Sequence, residues 1–472
     1  MTGTTATART VRPFGWYDKL GYAAGDMAND FTFIMVSTFF MIFATNVAGI
    51  NPIHLGFVLL LARLADAFYD LFVGRLVDIL PSGPAGRFRP WIPRLAPIVA
   101  ITCALCFAPF ITGWSYQSRL IWVSVTYFVF GLAFSTISIP YGSMVTVISP
   151  KPAHRSQLSV FRSMGALIAV LAVLVIPPLF IYDKNAQGHS FIVPERLFAV
   201  SVIGGVLALG LYAVCYAGVR ERIVVDKPRE DRPGFARTLA SVLSNRALAA
   251  LIVAALAQGL GVGVSQALIP YVCLDYFKMP QLQSLAGLLI VAPTVLLAPV
   301  ATRLGLRFGK KEIVSVGAAI SASAGFILAA IQTHNPVVYL VGLSLAGLGQ
   351  GLFALLIWAF IGDVVDDHEA ATGARDDGMI FASYSWSRKV GQAISSGLGS
   401  WVLGWLGYRA SEGTGIQQSD ATVTGLYTFS TLATGVLFLT LAVILALWYP
   451  LNRERVARNA ATLDGRRAAA SA

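Results

Sequence analysis

The chain has 472 residues, 56% of them hydrophobic and 12% charged, with a formal net charge of +11. A soluble domain carries roughly twice that charged fraction, so most of the chain is expected to lie in lipid. The positive charge sits largely in loops between apolar runs and is not interleaved with stacking aromatics, which argues against a nucleic-acid partner.

About 20 apolar residues cross a bilayer. On that measure twelve spans are predicted, at roughly 21–48, 54–80, 91–113, 119–148, 155–182, 195–218, 246–274, 282–304, 312–332, 336–362, 378–407 and 424–449. The segment 1–20 has no apolar core of its own and is not expected to be a cleaved signal. Span 1 contains GYAAGDMANDF, with Asp26 and Asp30 spaced i, i+4. Asp26 is expected to be an interfacial charge, and the deeper Asp30 is the better pocket candidate.

Span 2 contains RLADAFYDLFVGRLVD. Arg63, Asp66 and Asp70 stand at i, i+3, i+7 and form one stripe on a helix. Each charge at mid-bilayer costs roughly 2.5–3.5 kcal/mol, so the stripe is expected to face the bundle interior or a wet cavity. One reading is a structural ion pair of Arg63 with Asp66. The other is a cation or proton site built on both carboxylates, favoured because one arginine leaves an acid unbalanced.

Cys103 and Cys106 in span 3, like Cys215 and Cys273, lie in or beside apolar runs without nearby histidines and are read as packing residues. Span 4 contributes Ser135, Thr136 and Ser138 ahead of Pro140 and Tyr141, and span 5 holds Arg162. The glycine runs GLGVG (259–263) and GLGQG (347–351) have no preceding strand and are read as sites of close helix packing. His368 among Asp363, Asp366, Asp367 and Glu369 is read as part of a solvated loop with ion pairs rather than a metal site. Span 11 carries Arg388 and Lys389 beside Ser383, Ser385 and Ser387. No serine–base or cysteine–histidine constellation appears, so an enzyme is not expected.

The least apolar connection, RERIVVDKPREDRPGFAR, follows the sixth span. It divides the chain into an N-terminal segment 1–20, a six-helix bundle 21–218, a linker 219–245, a second bundle 246–449 and a tail 450–472. A basic, glycine-containing turn occupies the same place in each half: GRFRPW after span 2 and RLGLRFGKKE after span 8. A parallel repeat of six helices is the plan of the major facilitator fold, so an all-α membrane protein of that fold is expected. Lys and Arg crowd the connections on the side of the termini, which places both termini in the cytoplasm of a bacterial inner membrane.

In order along the chain, GYAAGDMANDF, RLADAFYDLFVGRLVD with GRFRPW, SIPYGSM, RSQLSVFRSMG, SNRAL and GDVVDDHEAATGARDDGMIFASYSWSRKVGQA resemble the glycoside–pentoside–hexuronide:cation symporter family. Span 4 and SRKVGQA are more similar to the glucuronide carriers than to the melibiose carriers. The resemblance implies that Asp66 and Asp70 bind the coupling cation with help from Ser135. It implies that Asp30 and Arg162 contact sugar hydroxyls, with Ser138, Tyr141 and Arg63 nearby, and that Lys389 lies between the two sites. It also implies a cytoplasmic gate of ion pairs, to which Asp78, Arg89, Asp366 and Arg375 belong. Ser138 and Gly142 stand where the melibiose carrier has an aspartate and a tryptophan, which makes the pocket more positive around Arg162 and Lys389.

These readings converge on symport of a sugar or glycoside by alternating access, with an anionic sugar such as a uronide or sulfonated sugar favoured. The coupling ion is H⁺ or Na⁺, and H⁺ is preferred because Tyr69 rather than a short polar residue stands between the two acids. No cofactor is expected, and the chain is expected to act as a monomer. A lysolipid carrier on the same fold, or a non-transporting membrane sensor, are the competing readings.

Overall fold

The structure, a computed structural model, describes residues 12–79, 86–149, 151–222, 245–372, 377–413 and 415–471. Six helices form the first half: α1 (Trp16–Asn46), α2 (Pro52–Ile79), α3 (Trp91–Leu105), α4 (Tyr116–Ser143), α5 (Pro152–Val175) and α6 (Pro194–Gly218). Six more form the second: α7 (Arg246–Tyr271), α8 (Leu282–Phe308), α9 (Lys310–Ile331), α10 (Pro336–Thr372), α11 (Asp377–Trp405) and α12 (Asp420–Val443). A thirteenth, α13 (Arg453–Ser471), follows the last span. Between α5 and α6 lies an antiparallel hairpin of β1 (Tyr182–Lys184) and β2 (Ser190–Ile192). At its edge Asp183 is held below the usual carboxylate range, first by the Lys184 amide and then by Arg196.

Among the described helices, nine are long and apolar enough to cross a membrane. The other three of the twelve are α3, apolar but short, and α2 and α11, the helices that carry the buried charges. Proline starts α2, α5, α6 and α10, where its missing amide costs nothing. Side chains of Ser115, Asn245 and Ser419 cap α4, α7 and α12.

Within each half small residues bring backbones together, as membrane helices need in the absence of a hydrophobic drive between them. On α1, a Cβ at Gly21 would lie 3.0 Å from Gly218 Cα of α6. Gly165 of α5 faces the Ala23 carbonyl. The glycines of GLGQG do the same for α10, with Gly347 against α8 and Gly349 against α9.

The repeated turns correspond in detail. Gly86 before α3 and Gly309 before α9 both take positive φ, +106° and +98°, a conformation that only glycine adopts freely. In the first turn, Glu221 from beyond α6 accepts the amides of Arg87, Phe88 and Arg89 at 2.8, 2.9 and 2.7 Å. In the second, Lys310 pairs with Asp363 of α10 at 2.6 Å. Residues 219–222 of the expected linker are therefore docked on the first half, and Arg222 also pairs with the fully buried Asp18 at 2.9 Å. Glu221→Ala leaves three backbone donors without their acceptor and is expected to cost about 1–3 kcal/mol. An unaltered thermal unfolding midpoint of the purified protein in detergent would contradict that role.

Two expectations change. Residues Asp363–Thr372 continue α10 as helix and are not a loop. They are held there because α13 clasps them: Arg455 and Asn459 hydrogen-bond Asp367, and Arg466 donates to the carbonyls of Glu369 and Ala370. Span 3 stops at Leu105, ahead of a 3₁₀ turn at Pro109–Ile111.

The contacts seen between the halves gather on the face opposite the termini. There α2 and α11 touch backbone to backbone, with Ser400 donating to the Pro52 carbonyl at 2.7 Å. Thr45 bonds Tyr271 at 2.7 Å, and the amides of Ser411 and Gly413 donate to the carbonyls of Thr45 and Asn46. The buried Arg119 pairs with Glu412 at 2.6 Å. The hairpin joins through Tyr182, which donates to Gln283 at 2.9 Å.

Candidate functional site

Three polar groups are buried along the helices of the first half. The first lies where α2, α4 and α11 meet. Ser135 of α4 donates to Asp66 at 2.5 Å. One turn along α2, Asp70 pairs directly with Lys389 of α11, so one ion pair spans the two halves at this depth. The other Asp70 oxygen, Oδ1, is buried without a hydrogen-bonding side chain or amide among the described residues. Tyr69, between the two acids in sequence, turns its hydroxyl to Thr136, 3.1 Å away, and is not a ligand of the carboxylates.

The second group joins α1 and α5. Arg162 pairs with Asp26 at 2.9 Å, and Asp26 is only 7% exposed. Asp26 is thus an internal partner and not the interfacial charge expected from its position. Asp30 makes no ion pair with Arg162 among the described residues. Tyr141 lies behind this pair: it donates to the Tyr22 carbonyl at 2.5 Å and stacks on the Tyr22 ring. At 1% exposed it supports Arg162 from behind and does not face open space. Ser138 is half-buried, its hydroxyl directed to the Ser135 carbonyl.

The third group is the stem of a cavity. Arg63 donates from Nε to the Tyr127 hydroxyl at 2.9 Å and from a terminal nitrogen to Ser37 at 3.2 Å, and its guanidinium lies over Phe33. It does not pair with Asp66, so the structural ion pair expected as one reading is not formed. Arg63 is held sideways toward the space between the halves.

That space is a cavity of about 480 Å³ enclosed by α1, α2 and α4 on one side and α7, α10 and α11 on the other. Of the expected substrate residues, Arg63 alone lines it. Asp30, Arg162, Ser138, Tyr141 and Lys389 do not. Arg162 and Lys389 are each neutralised by an aspartate, so they do not supply the positive excess expected of them. The lining includes Gln258 and Gln266 of α7 and Arg388 and Gln392 of α11, which the sequence reading did not assign to a site. A signal was present: Ser385, Arg388, Gln392 and Ser396 recur at i, i+3, i+7, i+11 and form one stripe on a helix. Lys389 is turned about 100° from Arg388 and so meets α2 instead.

Of the expected gate residues, Arg375 and the side chain of Asp78 lie outside the described residues. Arg89 donates to the Tyr216 carbonyl at 2.9 and 2.7 Å and stacks on its ring, contacts internal to the first half. Asp366 lies on α10.

A bundle of twelve membrane helices in two six-helix halves, joined on one face around a central polar cavity, is a major facilitator carrier and not an enzyme. The match to a known family narrows this. Residues 21–453 match the family described as MFS/sugar transport protein, and the chain belongs to that family. It is 29% identical over 466 residues to a glucuronide carrier protein homolog of Escherichia coli, covering 96% of each chain. It is 28% identical over 448 residues to a protein of Salmonella typhimurium provisionally named a sulfoquinovose importer, covering 93% of this chain and 91% of that one. Among solved structures it superposes on a D-xylose–proton symporter with a TM-score of 0.63 at 14% identity, over 92% of this chain and 98% of the other.

Proposed function

We propose that the protein is a proton-coupled symporter of a sugar or glycoside. The observation that carries this reading is the Asp70–Lys389 pair beside the central cavity, because it ties a titratable carboxylate of one half to the other half. While Asp70 is charged, Lys389 holds it. A proton on Asp70 removes the attraction and frees α2 from α11 at this depth. Lys389 thus acts as a tethered cation that the coupling proton displaces, and Asp66, steadied by Ser135, provides the second carboxylate.

Proton rather than sodium coupling is supported by the ligand set. Sodium needs several oxygens, whereas Tyr69 is directed to Thr136 and Lys389 already occupies Asp70. A single carboxylate suffices for a proton.

Gln258, Gln266, Gln392 and Ser37 offer donors and acceptors to sugar hydroxyls, and Tyr127 and Tyr384 offer ring faces. An apolar tail would find this lining unsuited, which argues against a lysolipid. Both walls come from one chain, so a monomer suffices. The basic residues crowd the face of the termini, including Arg87, Arg89, Arg220, Lys310, Lys311 and Arg453. That supports a cytoplasmic side for this face, in an inner membrane, with the closed face then looking outward.

The test is uptake into proteoliposomes with pH and Na⁺ gradients imposed separately. Accumulation of a sugar driven by an inside-alkaline gradient without Na⁺ is the expected result. Accumulation that requires Na⁺ and ignores pH would reassign the ion, and no movement of any sugar would refute the reading.

A further inference from the structure

The cavity contains two guanidinium groups, Arg63 from the first half and Arg388 from the second, and no carboxylate among the residues that line it. Four other cations of the bundle are each paired with a carboxylate: Arg162 with Asp26, Lys389 with Asp70, Arg119 with Glu412, Lys310 with Asp363. Arg388 has no carboxylate partner among the described residues, and Arg63 is engaged only by neutral groups, Tyr127, Ser37 and the Phe33 ring. Asp66 borders Arg63 outside the cavity but is held by Ser135. The cavity itself presents two cations and no anion, which is costly at membrane depth, so the arrangement is favourable when an anion enters.

We infer that Arg63 and Arg388 form a clamp for a single anionic group, a carboxylate or sulfonate, on the sugar that the protein carries. The inference rests on the sugar-transport reading above and names its substrate class. Guanidinium suits this task because its planar fork of donors matches two oxygens at once. Tyr127 and Ser37 take the Nε side and one terminal nitrogen of Arg63, which orients the remaining donors before the substrate arrives. Arg388 lies on the stripe that also presents Gln392, so one helix face supplies the charge contact and a partner for a neighbouring hydroxyl. The clamp has one jaw on each half. An anion that engages both therefore ties the two walls of the cavity to each other, as occlusion of the substrate requires. A neutral sugar lacks that tie. The cations that line this cavity are Arg63 and Arg388 rather than the expected Arg162 and Lys389.

The matched pair methyl β-glucuronide and methyl β-glucoside, which differ only in a carboxylate in place of a hydroxymethyl group, tests this on the whole protein. Binding to purified protein and transport in proteoliposomes are both read, as the ratio of glucuronide to glucoside. The wild-type ratio is expected to favour glucuronide by about 10- to 100-fold, the range for a hydrogen-bonded charge. Arg388→Gln and Arg63→Gln are each expected to bring the ratio to within about threefold of unity. Arg388→Lys keeps the charge but loses the fork and is expected to fall between. An unchanged ratio in Arg388→Gln, or a wild type that prefers glucoside, overturns the clamp while leaving sugar transport standing. Failure of the wild type to bind or move either sugar overturns both readings together.

Discussion

Asp70→Asn is expected to abolish concentrative uptake while leaving downhill exchange of sugar across the membrane. With Asp70 charged, α2 and α11 are joined by the pair with Lys389. Breaking a buried pair from one side costs about 3–5 kcal/mol because the remaining charge is stranded. On the proposed mechanism a proton neutralises Asp70 as the pair parts, and Lys389 is left with Asp66 as its nearby carboxylate. An amide at position 70 is neutral in every state, so the step that distinguishes loaded from empty carrier is lost. The gain in sugar affinity that the coupling ion confers, typically 5–150-fold for linked sites, is lost with it. Asp66→Asn should behave similarly but less severely, because the amide oxygen still accepts from Ser135. Lys389→Ala is the informative counterpart: it removes the cation that ties Asp70 to α11, and transport should lose its dependence on the pH gradient. The measurement is the steady-state ratio of internal to external sugar in proteoliposomes under an imposed pH gradient. An Asp70→Asn carrier that still accumulates sugar well above unity would remove Asp70 from the coupling site.

The arrangement of helices was largely legible because lipid imposes it. Apolar length placed the spans, and the recurrence of a glycine-containing basic turn after spans 2 and 8 located the two halves before Gly86 and Gly309 were seen to share a backbone conformation. Apolarity reports contact with lipid and not helicity, which is why the sequence of the charged end of α10 reads as a loop. It is helical because Lys310 and Arg455 neutralise Asp363 and Asp367 and Asn459 donates to Asp367, partners distant in sequence.

The same limit governs the site. The stripe Arg63, Asp66, Asp70 was visible within one helix, as was the likelihood that it faced inward. Which acid each cation meets was not, since Arg162 and Asp26 are 136 residues apart. Spacing alone set Arg388 and Lys389 side by side. Their separation, Arg388 lining the cavity and Lys389 paired with Asp70, follows only from the rotation between consecutive helical positions and from knowing which helix packs on each face.

Replacing Gly56 by Trp should trap the carrier open on the outward face and stop turnover. Gly56 of α2 lies against Gly397 of α11, and a Cβ at Gly56 would stand 3.0 Å from the Gly397 carbonyl oxygen and collide with the Trp401 ring. A Cβ at Gly397 would in turn lie 3.1 Å from the Gly56 carbonyl oxygen. The Trp401 ring can swing aside, but a backbone oxygen on a packed helix cannot. A large side chain at position 56 therefore forbids the approach of α2 and α11 on which closure of this face depends. The halves can still part here and meet toward the termini, since nothing in that motion brings Gly56 closer to α11. Uptake is expected to fall by about 10²-fold or more, as a misplaced element remote from the chemistry can do, with sugar still bound from outside. Spin labels at Gln187→Cys on the hairpin and Gln417→Cys on the loop before α12 report the closure directly, because both positions are exposed and all four native cysteines are buried. Their separation should lengthen in Gly56→Trp relative to the parent. A variant that is monodisperse in detergent, keeps the parental label distance and transports at the parental rate would show that α2 and α11 do not form the outer closure.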